Sequence, residues 1–356
     1  MTMPVSEPAM ASGIAAPSPA AALLARNGLA GVEPVPLAGD ASARRYYRLE
    51  GHGLLLMEDN SDPVGFSAYV RLSEHLNALG LSAPRVIDTD HAADVALVED
   101  FGNRTYTICL DEGDDEYVLY RLAVDVLLHL HHDNRGCNVP QPLYDLDVYL
   151  DELDIFSDWF APAVAPENFD RIGFKAQFRA LWAEALAPVA ERFDTLVLRD
   201  FHVDNLMLLE NRQGVARCGI LDFQDGVLGS CEYDLVSLLQ DARRDLAAGL
   251  EETLLVHYAA NAPARLGSAR EIRHRFAVLG AQRHARILGV FVRLSKRDGK
   301  ERYLAFLPRV LRQFETALGA AGLNGIAAFL NAELPGWQNG IVCSAAAQTG
   351  NGVSDA

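Results

Sequence analysis

Residues 195–225 read TLVLRDFHVDNLMLLENRQGVARCGILDFQD. Two apolar runs, Leu206–Leu209 and Cys218–Leu221, flank the turn-forming residues Asn211-Arg212-Gln213-Gly214, and this pattern predicts a β-hairpin. Residues that face each other across an antiparallel hairpin keep a constant index sum. For Asn205 and Asp222 the midpoint falls between Gln213 and Gly214, inside the predicted turn. Asn205, entering the first strand, is therefore expected beside Asp222, leaving the second. Two oxygen-bearing side chains converge at one end of the hairpin.

An amide and a carboxylate placed this way suit Mg²⁺, a hard ion that takes oxygen ligands and often keeps only one or two from the protein. Asp200 lies five residues before Asn205 on the entering loop, clear of the metal and able to accept a hydroxyl proton. The D-x-x-x-x-N spacing with a strand-terminal Asp is the phosphoryl-transfer layout of protein-kinase-like enzymes. The spacing alone arises often by chance, and a polar turn with solvated acids is the plainer alternative. The hairpin register and the second acid favour the chemistry: Asp200 as catalytic base, Asn205 and Asp222 as metal ligands, ATP and Mg²⁺ as cofactors.

Size and charge agree. A chain of 356 residues favours two lobes over one core. Lys and Arg total 31 against 48 acidic residues, a formal net charge of -17. That balance repels nucleic acid and anionic membranes, so a small molecule is the expected partner and no obligate protein partner is inferred. The cysteines (Cys109, Cys137, Cys218, Cys231, Cys343) are odd in number and form no C-x-x-C pair, which fits a reducing cytoplasm better than a disulfide framework. The N-terminus lacks the basic start and apolar core of a signal peptide, and no run reaches the roughly 18 apolar residues of a membrane helix.

Residues 1–21, rich in Ala, Pro and Ser, are predicted to be disordered, and 336–356 to form a flexible tail. Residues 22–100 read as a β-rich nucleotide-binding lobe. It has strands at Arg45–Leu49, Leu54–Glu58 and Ala96–Val98, and a helix with Phe66, Tyr69, Leu72, Leu76 and Leu79 on one face. Residues 101–335 read as a larger catalytic and substrate lobe, with helices at 116–132, 145–160, 171–190, 234–260, 271–296 and 301–320. The expected class is α+β, a two-lobed protein-kinase-like fold with ATP between a small β-rich lobe and a mostly helical one.

Leu198-Arg199-Asp200-Phe201-His202-Val203-Asp204-Asn205-Leu206, followed by Ile220-Leu221-Asp222-Phe223-Gln224-Asp225, resembles the aminoglycoside phosphotransferase family. Leu198 stands where that family commonly has His. Further stretches are similar to one branch, the cell-wall-recycling kinases of N-acetylmuramate and N-acetylglucosamine. They are Gly39–Arg48, Val98–Gly102, Tyr233–Arg243 and Leu288–Leu294. The resemblance runs from about residue 37 to 320. It implies ATP-dependent phosphorylation of the anomeric hydroxyl of an amino sugar in peptidoglycan recycling. A kinase of another small alcohol (choline, homoserine or an aminoglycoside) is the first alternative, and a catalytically dead nucleotide-binding scaffold the second.

Protein kinases hold the phosphates with a lysine on the third strand. Here the three lysines (Lys175, Lys296, Lys300) all lie beyond the first lobe, and Met57 occupies the likely position. The nearest cations are Arg44 and Arg45, which with Ser42 of the preceding loop are expected at the phosphates. Asp100-Phe101-Gly102 imitates a kinase metal motif but precedes Asp200 by a hundred residues. Glu99, Asp100 and Phe101 are read instead as the segment meeting the adenine. His129-Leu130-His131-His132 is read as a helix end rather than a metal site. Asp234 is explained by helix N-capping, and the resemblance implies that it also braces the catalytic loop. His202 and Asp225 flank base and metal and are candidate substrate contacts. Arg243 and Arg293 are the leading cations for a carboxylated acceptor, since a buried unpaired carboxylate is costly.

Overall fold

Gly51 and Gly53 take positive φ values of 78° and 64°, a conformation that side chains resist. They allow the chain to reverse tightly between two strands. The computed structural model describes residues 17–37 and 44–341. Contacts divide the chain into two units, one comprising residues up to Glu74 with Pro84–Gly102, the other His75–Ala83 with Asn103 onward.

The first unit is an antiparallel sheet of β1 (Val35–Pro36), β2 (Arg45–Leu49), β3 (Leu54–Glu58), β4 (Val86–Asp90) and β5 (Val95–Glu99), ordered β1-β2-β3-β5-β4. Helix α1 (Pro19–Arg26) lays Leu23 and Leu24 against Leu49, Leu56, Val95 and Leu97. Ordered structure thus begins inside the stretch expected to be disordered. Ser18 caps α1 and proline opens it, two strong start signals in an otherwise bland sequence. Met57 pairs across the sheet with Tyr46 and Ala96 and is fully buried. The strand position expected for a phosphate-binding lysine is core. Helix α2 (Pro63–Ala78) follows, with Phe66, Tyr69, Leu72 and Leu76 buried as its period predicts.

The second unit is mostly helical: α3 (Tyr106–Asp111), α4 (Glu116–His132), α5 (Leu146–Ile155), α6 (Ala161–Val164), α7 (Arg171–Ala185), α8 (Glu232–Leu239), α9 (Leu250–Asn261), α10 (Ala269–Asp298), α11 (Leu307–Ala320) and α12 (Asn324–Glu333). Among them lie two strand pairs: β6 (Thr195–Val197) with β9 (Val227–Gly229), and β7 (Leu206–Leu208) with β8 (Cys218–Ile220). Helix α10 packs against α5, α8 and α11. A capping box between Ser268 and Glu271 starts it.

Three expectations change. The helix expected over 145–160 passes into a π turn at Phe156–Phe160. There Gly289 of α10 comes so close that an added Cβ would lie 2.4 Å from the Ile155 carbonyl oxygen. The helix expected over 234–260 breaks between Leu239 and Leu250. The Asp241 carboxylate accepts from the Arg243 N–H at 2.9 Å, a side-chain turn that competes with helix. Arg309 and Gln313 of α11 bond the carbonyls of Ala242 and Asp241. Finally, order continues past Gly336: Trp337 is buried, its ring centroid 5.4 Å from that of Phe314, and it donates to Asn331 at 3.0 Å.

Candidate active site

The hairpin forms with Leu206 opposite Ile220 and Leu208 opposite Cys218, one residue out of the expected register. Asn205 consequently faces Leu221, whose N–H donates to the Asn205 carbonyl at 2.9 Å. In a regular strand Asp222 would then point away. Instead Asp222 takes a φ of 58°, left-handed backbone that a branched carboxylate side chain adopts at a cost. That turn brings its carboxylate back to 3.5 Å from Asn205 Nδ2. The two side chains converge by a different route from the one expected.

Asn205 Nδ2 also donates to the Asp200 carbonyl at 3.0 Å, so the Asn205 Oδ1 acceptor faces away from that bond. The Asp222 carboxylate is exposed and accepts from Gln224 at 2.9 Å. An amide oxygen and an open carboxylate fit a hard cation whose remaining ligands are phosphate and water. No group of three or more His, Cys, Asp or Glu among the described residues could hold a metal alone.

The candidate base, Asp200, sits on a braced loop. Arg199, just before Asp200, has a φ of 69°. Asp234, fully buried, accepts from the Leu198 N–H at 2.7 Å and the Arg199 N–H at 2.9 Å. It lies within α8 rather than at its N-cap, so its carboxylate caps the loop that carries Asp200 and not its own helix. Burial pushes its pKa up to about 7, more than the two N–H donors and Arg283 pull it down, with the Asp200 charge adding to the rise. Arg283 donates to Ser237 at 2.9 Å, and Ser237 to the Arg199 carbonyl at 3.2 Å.

Sequence reasoning missed the support beneath this loop. Glu152 accepts from Arg199 and, at 2.5 Å, from the Tyr144 hydroxyl, and lies 3.4 Å from Arg286 Nε. Its signal was available: Glu152 interrupts the apolar face made by Tyr149, Leu153 and Phe156. Asp204, exposed beside the loop, accepts from Thr107.

The other expected site residues are distributed as follows. His202 is buried, with its Nε2 facing Asn205 Nδ2 and Arg243, each at 3.4 Å. Burial and the Arg243 charge hold its pKa below the ordinary value. It braces Asn205 from behind. Asp225 is exposed in the turn after Asp222. Arg243 lies 3.6 Å from both Asp204 and Asp241. Arg293 is on α10. Within the first unit, Arg44 turns inward to Asp59 at 2.8 Å, both nearly buried, with Tyr69 under its guanidinium. Its charge is already used, whereas Arg45 is exposed on β2. Ser42 lies outside the described residues. The Asp100 carboxylate holds Arg48 at 2.6 Å and the Gly102 N–H at 2.8 Å, and Glu99 meets Arg85 at 3.2 Å. Of the histidine cluster, His129, His131 and His132 bond Leu79, Tyr258 and Asn261 separately.

An antiparallel-sheet unit, a helical unit and an Asp–Asn–Asp constellation on a hairpin define a protein-kinase-like phosphotransferase. The model of the phosphotransferase enzyme family (APH) matches residues 33–269, and the chain belongs to that family. It is 34% identical over 353 residues to an N-acetylmuramate/N-acetylglucosamine kinase of Caulobacter vibrioides, covering 88% of this chain and 96% of the relative. It is 32% identical to the kinase of the same name from Neisseria meningitidis, over 77% of this chain and 82% of the relative. A choline/ethanolamine kinase family protein of Mesorhizobium loti has the same fold, with a TM-score of 0.56, 15% identity, and coverage of 90% and 98% of the two chains. So has an ADP-bound aminoglycoside phosphotransferase, with a TM-score of 0.54, 15% identity, and coverage of 81% and 95%.

Proposed function

We propose that this phosphotransferase moves the γ-phosphoryl group of ATP to the anomeric hydroxyl of N-acetylmuramate or N-acetylglucosamine. The observation that carries the reading is the convergence of Asn205 and Asp222 beside Asp200, whose own carboxylate accepts no hydrogen bond from any described residue. The names of the relatives supply the acceptor. In the reaction the sugar O1 attacks the γ-phosphorus and its proton passes to the Asp200 carboxylate. The O1–P bond forms as the bond from phosphorus to the β–γ bridging oxygen breaks, and ADP leaves with that electron pair. Asn205 and Asp222 would hold Mg²⁺, which when bound neutralises charge on the phosphate oxygens. The Asp234 bonds to Leu198 and Arg199 fix where Asp200 stands.

Arg45 is the cation proposed for the phosphates, since Arg44 is occupied by Asp59. The segment Glu99–Phe101 is proposed to meet adenine through backbone groups, because the Asp100 carboxylate is occupied by Arg48. Asp225 is an outer contact for substrate or metal. A cytoplasmic setting accompanies this reading, with peptidoglycan recycling as the source of the sugars.

The test is Asp200→Asn. The variant should lose at least about a hundredfold in turnover, the usual scale of a positioned general base. Its ATP affinity should stay within a few-fold, because the base does not touch the nucleotide. Parental turnover in the variant would refute the assignment.

A further inference from the structure

The two proposed acceptors differ by one group: N-acetylmuramate carries a lactyl carboxylate that N-acetylglucosamine lacks. An enzyme that serves both needs a cation that one sugar uses and the other ignores. This inference rests on the acceptor reading above. Two arginines were candidates from the sequence, and their surroundings separate them.

Arg243 is already neutralised. Its Nε lies 3.6 Å from Asp204, and its Nη1 lies 3.6 Å from Asp241 and 3.4 Å from His202 Nε2. A carboxylate arriving there would meet two others first. Arg293 has the opposite environment. No described residue hydrogen-bonds it or pairs with it, and its Nε is buried without a partner, a condition native proteins rarely leave unanswered. Burial, then the neighbouring Arg297 and Arg286 charges, lowers its pKa, and only Asp298 acts the other way.

Position favours the same residue. Arg286 and Arg293 are seven residues apart on α10, two turns and roughly 10 Å along one face. Arg286 Nε lies 3.4 Å from Glu152, which also accepts from Arg199, the residue before Asp200, and this ties the Arg286 end of the face to the loop that carries Asp200. Arg286 and Arg199 share the single carboxylate of Glu152. Between the two arginines, Gly289 is pressed against the Ile155 carbonyl, and that contact fixes the helix and the line its arginines take. In a chain of net charge -17, an arginine on this helix with no acidic partner among the described residues points to an anionic group on the ligand.

We propose that Arg293, backed by Arg286, receives the lactyl carboxylate of N-acetylmuramate and so sets the preference between the two amino sugars. Arg293 acts on specificity, away from the reacting atoms.

The experiment measures kcat/KM for both sugars in the parent, Arg293→Gln, Arg293→Lys and Arg297→Gln. Removing a charge-assisted contact corresponds to roughly 10- to 150-fold. The N-acetylmuramate to N-acetylglucosamine ratio should therefore fall by that factor in Arg293→Gln, chiefly through KM. Arg293→Lys, which keeps the charge and loses the fork, should fall between, and it carries the test if the Gln variant does not fold. Arg297→Gln, on the same helix and paired with Asp298, should leave the ratio within about threefold, the scale of an ordinary surface change. An equal loss for both sugars at Arg293, an unchanged ratio, or an equal shift at Arg297 would overturn the proposal. So would a parent that uses N-acetylglucosamine alone, although the kinase reading would stand. A parent that phosphorylates neither sugar defeats the functional reading itself, and the inference with it.

Discussion

Two side-chain-bearing residues at the site, Arg199 and Asp222, hold backbone conformations usually left to glycine. Each costs on the order of 1–2 kcal/mol, and each places a functional neighbour or its own carboxylate. Asp222→Gly separates the two effects. The glycine accepts a φ of 58° freely, so its melting temperature should match or exceed the parent's. Mg·ATP affinity should fall and the Mg²⁺ requirement should rise, because the carboxylate is gone. Unchanged nucleotide affinity and metal dependence, read by calorimetric titration at several Mg²⁺ concentrations, would remove Asp222 from the metal site. That Asp200, Asn205 and Asp222 come together was readable from the sequence, because short covalent spacing limits where such residues can go. The inward turn of Arg44 was not, since it depends on Asp59 and Tyr69, partners that only the folded unit brings to it.

Between elements, the decisive join is α8 to the Asp200 loop through Asp234. This carboxyl ordinarily titrates near 3.8 and in the fold near 7, chiefly because it is buried. Between those values the folded chain holds a proton that the unfolded chain has released. Its contribution is therefore fully present below about pH 4 and lost as pH rises through about 7. Asp234→Asn cannot titrate and sets an amide against one of two N–H donors, at a cost of about 1–3 kcal/mol. The parent's advantage in melting temperature should be largest near pH 4.5 and should shrink by pH 8. An advantage that grows with pH would reverse the sign of the argument. The elements themselves were unevenly readable. Strong periodicity located β2, β3, α2 and α4, whereas β6 and β9, three residues each, exist through long-range pairing that leaves no local pattern. The hairpin was found one register out because turn residues locate a reversal less sharply than the ladder does.

At the scale of the molecule, the strong negative charge and the unpartnered Nε of Arg293 on α10 belong together. A net charge of -17 discourages polyanions, and an anionic group on the ligand would depend on the role proposed for Arg293. Among the described residues no helix is long and apolar enough to cross a membrane. Buried Cys109, Cys218 and Cys231 are free thiols. The central claim is that a phosphoryl group passes to the anomeric oxygen of an amino sugar. The direct measurement supplies γ-labelled ATP and a panel of N-acetylglucosamine, N-acetylmuramate, choline, homoserine and an aminoglycoside, then locates the label by phosphorus NMR. The account predicts label on C1 of an amino sugar, with the reducing end lost in step with ADP release. Label on choline, homoserine or the aminoglycoside alone, or on a sugar hydroxyl other than C1, would contradict it.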